Sequence, residues 1–182
     1  MRWHYTVAAH SDVGTTKAVN QDSLTVKVAN TMNGEAAFAV ICDGMGGLEQ
    51  GEVASTAVVR AYEQWFLREL PQLLARGFSE KQLEQVWLRL ANDCNVRIAD
   101  YSREQKAPMG TTLTAMLLLE GRYYISHVGD CRVYVMGNGM EQLTADQTYV
   151  AREVALGHMT PEQAQTDARR NVLLQSIGTV NC

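Results

Sequence analysis

Phe38-Ala39-Val40-Ile41-Cys42-Asp43-Gly44-Met45-Gly46-Gly47 joins an unbroken apolar run to a carboxylate and a glycine cluster. Extended back to Ala36, the run reads as a strand buried on both faces. It ends at Asp43, where glycines allow a tight backbone path. An acidic oxygen at the end of a rigid element is held firmly while still reaching solvent. On either side of this stretch the pattern is regular. Upstream, Tyr5 to Ala9 and the alternating Leu24, Val26 and Val28 predict two strands. Downstream, from about Gly51, Val53, Ala57, Ala61 and Trp65 recur every four residues, with Val58, Tyr62 and Phe66 beside them, predicting a helix that ends before Pro71.

A second helix is signalled by Ser79 as N-cap with Gln82 as its capping-box partner. Its apolar stripe is Leu83, Val86, Trp87, Leu90, Cys94, Ile98 and Tyr101. After Pro108-Met109-Gly110 the β pattern returns in Thr111–Leu119, Tyr123–Val128, Cys131–Met136 and Met140–Leu143, separated by Glu120-Gly121 and Gly137-Asn138-Gly139 turns. From Thr148 a polar helical pattern follows, with Thr160-Pro161-Glu162 opening a further helix. Strands, two long helices and more strands predict an α+β domain in which helices cover antiparallel sheets, rather than a βαβ nucleotide-binding fold.

The chain has 182 residues, of which 46% are hydrophobic, enough for one substantial core. Its 16 basic and 20 acidic residues leave a formal charge of −4, which draws it neither to nucleic acid nor to an anionic membrane. No apolar run approaches the roughly 20 residues that cross a bilayer, and no signal-peptide core follows Met1, so the expected location is cytoplasmic. Cys42, Cys94, Cys131 and Cys182 form no C-x-x-C pair and read as reduced thiols.

Three acidic residues fall at strand ends: Asp22, Asp43 and Asp130. Taken singly, Asp-Gly and Gly-Asp pairs also read as turns. In combination, six stretches resemble the successive motifs of the protein phosphatase 2C family, in order. They are Ser11 to Ser23, Phe38 to Gly47, Met109-Gly110-Thr111-Thr112, Val128 to Tyr134, Leu143-Thr144-Ala145-Asp146 and Arg170 to Gly178.

The resemblance implies a sandwich of two antiparallel sheets flanked by helices, formed as one domain over residues 1–182 with a flap segment at about 144–178. It further implies a bacterial metal-dependent phosphatase that hydrolyses phosphoserine and phosphothreonine with metal-activated water. Oxygen-only donors select magnesium or manganese. Asp43 would bridge two divalent cations, Asp22 and the Gly44 carbonyl would contribute to the cluster, and Asp130 would take a third, weaker cation. The implied partner is a phosphoprotein, the substrate of a Ser/Thr kinase.

Lys17 stands where family members carry a phosphate-clamping arginine, keeping the charge without the planar fork. The chain stops at Cys182, before two late family motifs whose aspartates complete the binuclear site. The expectation is therefore a C-terminally truncated domain with weakened metal affinity and unpaired sheet edges. Two alternatives remain at this point: a catalytically impaired module that binds a phosphoprotein or kinase, and a structural domain whose acidic pairs are turns. His4, His10, His127 and His158 lie beside no nucleophile elbow, and His127, inside an apolar strand, reads as a hydrogen-bonded core residue.

Overall fold

The computed structural model describes residues 3–15, 17–46 and 50–179. Gly47 and Cys182, invoked above, lie outside them. The strands are β1 (Asp22–Thr31), β2 (Gly34–Gly46), β3 (Met109–Thr111), β4 (Leu113–Leu119), β5 (Arg122–Val128), β6 (Tyr134–Met136) and β7 (Met140–Gln142). The helices are α1 (Gln50–Arg68), α2 (Leu70–Ala75), α3 (Glu80–Gln105), α4 (Tyr149–Ala155) and α5 (Pro161–Thr166). β1, β2, β4 and β5 form an antiparallel sheet in that order, β3 pairs with the end of β2, and β6 and β7 make a separate two-stranded sheet. The class is the expected one: antiparallel sheets with helices, α+β.

β2 departs from its reading in two ways. Its even positions Ala36, Phe38, Val40 and Cys42 are at most 1% exposed and belong to the core with α1 and α3, whereas Ile41 on the other face is 46% exposed. A continuous apolar run therefore marks one buried face and one half-open face. The strand also runs on through Asp43, Gly44 and Met45 instead of turning, because β3 pairs Thr111 with Gly44 and Gly110 with Met45.

The core is aromatic. Phe38 stacks on Phe66 with centroids 4.9 Å apart, and Trp65 meets Trp87 edge-on at 5.4 Å. Pairs of this kind add about 1 kcal/mol each beyond their burial. The buried stripe of α1 is Ala54, Val58, Tyr62 and Trp65, one position on from the Val53-Ala57-Ala61 set; Val53 is 46% exposed. Small residues on both sides of the true stripe made the two phases hard to separate by period alone.

The α3 stripe holds, with Leu83, Trp87, Cys94 and Ile98 buried. At its N-cap the Ser79 hydroxyl accepts from Gln82 N at 3.2 Å. Thr160 and Gln163 form a full capping box on α5. Tyr5 to Ala9 is not a strand: no ladder partner lies beside it among the described residues, so its alternation has nothing to pair with. No helix among the described residues is long and apolar enough to cross a membrane.

Candidate metal and phosphate site

β1 and β2 are joined through the Met32-Asn33 turn, and their register runs from Thr31 opposite Gly34 to Asp22 opposite Asp43. Directly opposed side chains on an antiparallel pair share a face, about 5 Å apart at Cβ. The two carboxyl groups are close enough to share a hydrogen bond. They lie on the sheet face turned away from α1.

Main-chain contacts fix this pair. Asp43 N donates to Thr112 Oγ1 at 2.7 Å, and Asp43 O accepts from Thr112 N and from Thr111 Oγ1, both at 3.0 Å. Asp22 N donates to Asn20 Oδ1 at 3.0 Å, and Asn20 in turn donates to Ser11 Oγ at 2.7 Å. Gly44 N donates to Gln21 O at 3.1 Å, and the wholly buried Ser55 of α1 donates to the same oxygen at 2.7 Å. A Cβ on Gly44 would fall 2.1 Å from Gly51 O, so glycine is required where α1, β2 and the entry to β1 converge.

Electrostatics mark Asp43 as the focus. Partial burial pushes its carboxyl above the usual range, Asp22 pushes in the same direction, the Lys17 ammonium opposes both, and Asp130 adds a weaker upward push. Two carboxylates held together against their own repulsion need a cation nearby, and Lys17 is one. Asp43, Gly44, Lys17 and Asp130 all line one cavity of about 800 Å³, whose lining also includes Leu174 and Gln175. Lys17, Asp22, Asp43, Gly44 and Asp130, singled out in the sequence, thus gather at one end of the sheet.

All the donors here are oxygens, the set that suits a hard divalent cation. The pair fits part of such a site. Among the described residues no group of three or more His, Cys, Asp or Glu side chains is placed to hold a metal. His127 is hydrogen-bonded as expected but only half-buried rather than part of the core, with Nδ1 2.9 Å from Thr114 Oγ1 and Nε2 3.1 Å from Ala145 O.

Sequence reasoning gave no role to Thr112, Ser55 or Gln147. Ser55 carried a signal, as a hydroxyl on the buried side of an apolar helix. Thr112 sat in a quoted motif. Gln147 carried none for a positioning role, because its contacts join segments distant in sequence.

A family model described as protein phosphatase 2C matches residues 10–179. The serine/threonine protein phosphatase PstP of Mycobacterium tuberculosis is 32% identical over 171 residues, covering 93% of this chain and 30% of PstP. The crystal structure of a bacterial serine phosphatase superposes with a TM-score of 0.77 at 32% identity, over 92% of this chain and 66% of that one. The catalytic domain of PstP, in complex with two manganese ions, gives a TM-score of 0.69 at 30% identity, over 94% of this chain and 66% of that one. The chain thus spans less than two thirds of each of these proteins.

Proposed function

Because the chain belongs to the protein phosphatase 2C family, we propose that its Asp22–Asp43 pair serves metal-dependent hydrolysis of phosphoserine and phosphothreonine in phosphoproteins. The observation that carries this is the register that sets Asp22 opposite Asp43, with Lys17 acting on the same carboxyl. Asp43 and Asp22 would hold two divalent cations, manganese or magnesium, with help from the Gly44 main chain. Asp130, which lines the same cavity, would take a third and weaker one.

Bound cations neutralise phosphoryl charge and lower the pKa of water. The protein's own groups orient the substrate. Lys17, a point charge on a flexible stem, holds a phosphoryl oxygen in the cavity without a bidentate fork. Water oxygen then bonds to phosphorus and gives up a proton, the bond from phosphorus to the serine or threonine oxygen breaks, and that oxygen takes up a proton and leaves as the free hydroxyl. No histidine is assigned as its acid, since both ring nitrogens of His127 already have partners.

Residues 144–178 act as the flap over this cavity, within one domain spanning 1–182, and the substrates are products of Ser/Thr kinases. Free thiols at Cys42, Cys94 and Cys131 accord with a cytoplasmic site of action. A second reading, a phosphate-binding module with little turnover, is favoured by the lack of a three-carboxylate cluster among the described residues.

Manganese-dependent hydrolysis of a phosphothreonine peptide separates the two readings. Asp43→Asn is expected to lower the rate by about 100-fold or more. Equal rates in the two proteins would remove Asp43 from the mechanism. Phosphopeptide binding without hydrolysis would establish the second reading.

A further inference from the structure

Gln147 ties together three segments that are distant in sequence. Its backbone N donates to Gly129 O and its backbone O accepts from Leu174 N, both at 2.8 Å. Its side chain repeats the link: Oε1 accepts from Gly129 N at 2.9 Å, and Nε2 reaches toward His127 O at 3.4 Å. Gly129 immediately precedes Asp130, and both Asp130 and Leu174 line the cavity that Asp43 also lines. One uncharged side chain with both an acceptor and a donor at this reach is what an amide provides.

Gly129 is also held from its other side. Its φ is +111°, and a Cβ there would lie 2.6 Å from Thr112 Cγ2. Thr112 Oγ1 in turn accepts from Asp43 N. Asp43, Thr112, Gly129, Gln147 and Leu174 are therefore linked in one continuous series of contacts, and Asp43, Thr112 and Leu174 among them line the cavity.

We propose that Gln147 is a positioning residue that sets the distance between the Asp130 loop and the Leu173–Gln175 wall, and so governs binding of the peptide that flanks a phosphorylated side chain. Asp43 and Lys17 act at the phosphoryl end of the cavity. The wall meets whatever projects beyond it. Loosening the strut should weaken binding of substrates that have a flank and spare those that have none. This selectivity rests on the phosphatase reading; the strut itself does not.

The test compares the protein with its Gln147→Ala and Gln147→Glu variants. Glutamate keeps the acceptor for Gly129 N. In the manganese-loaded protein, KM and kcat are measured for a phosphothreonine peptide and for p-nitrophenyl phosphate. In the metal-free protein, amide exchange is measured at Gly129. Gln147→Ala is expected to raise KM for the peptide by about tenfold, the worth of one well-made hydrogen bond. Its kcat, and both constants for p-nitrophenyl phosphate, should stay within about twofold, and Gly129 exchange should quicken by about tenfold. Gln147→Glu should restore Gly129 protection and most of the peptide KM.

Equal KM changes for both substrates, or an unchanged peptide KM, would overturn the proposal, and so would unaltered Gly129 exchange. If Asp43→Asn left hydrolysis intact, the phosphatase reading would fall, and Gly129 exchange would still decide whether Gln147 is a strut.

Discussion

Asp22 stands directly opposite Asp43 across the β1–β2 ladder. A one-residue slip would send Asp22 to the helix-covered face, because side chains alternate along a strand. The short turn at Met32-Asn33 and the buried row Ala36, Phe38, Val40 and Cys42 forbid that slip. Core packing along the length of β2 thus fixes the geometry of the carboxylates at its end.

Asp43 carries a pH signature. Burial and Asp22 raise its carboxyl above 3.8, the ordinary value. A carboxyl raised on folding contributes stability below its unfolded pKa, and that contribution is lost as pH rises through the folded pKa. Without metal, Asp43→Asn should therefore melt higher at neutral pH, by on the order of 2 °C given the solvent screening of an exposed pair. The difference should vanish well below 3.8. Calorimetric melting across pH with chelator present checks this; a destabilised Asn variant at neutral pH would contradict it.

Gly44→Ala should be costly. The new Cβ would meet backbone oxygens of Gly51 and Gln21 at 2.1 and 2.5 Å, and no flexible side chain is there to give way. Urea titration should show a loss of about 3 kcal/mol or more. A loss near zero would mean that α1 and the entry to β1 move apart easily.

If Lys17 holds the phosphoryl group as proposed, replacement by alanine removes a charge-assisted contact, and KM for a phosphopeptide should rise by about tenfold or more. Lys17→Arg should lower KM below that of the native protein, through a bidentate fork. Because the ammonium opposes the rise in the Asp43 pKa, Lys17→Ala should also move the midpoint of metal binding to higher pH. Steady-state kinetics and metal titrations over pH measure the two effects.

Core and site should separate experimentally. Leu117 of β4 is fully buried and pairs in register with Phe38. Leu117→Ala should cost about 3 kcal/mol in equilibrium unfolding. Metal dependence should persist in the folded protein, because the Asp22–Asp43 pair is untouched.

The sequence carried the carboxylates because alternation and turn chemistry are local. Leu24, Val26 and Val28 put Asp22 in phase with Leu24, and the apolar run through Cys42 aimed at Asp43. The phase of α1 was less legible, since Ala54, Ala57 and Ala61 occupy both candidate stripes and only packing on β2 selects one. Tyr5 to Ala9 alternates like a strand, yet a strand needs a neighbour to bond with. Continuation of β2 through Gly46 depends on β3, more than sixty residues downstream. The contacts of Gln147 are invisible for the same reason: its worth comes from Gly129 and Leu174, which no periodicity connects to it.

The most direct test of the account is crystallographic. In crystals grown with manganese, an anomalous difference map collected at the manganese edge should show its strongest peak between the Asp22 and Asp43 carboxylates, beside Gly44. Manganese absent from that position, or bound only elsewhere on the protein, would contradict the assignment of this pair as the metal centre.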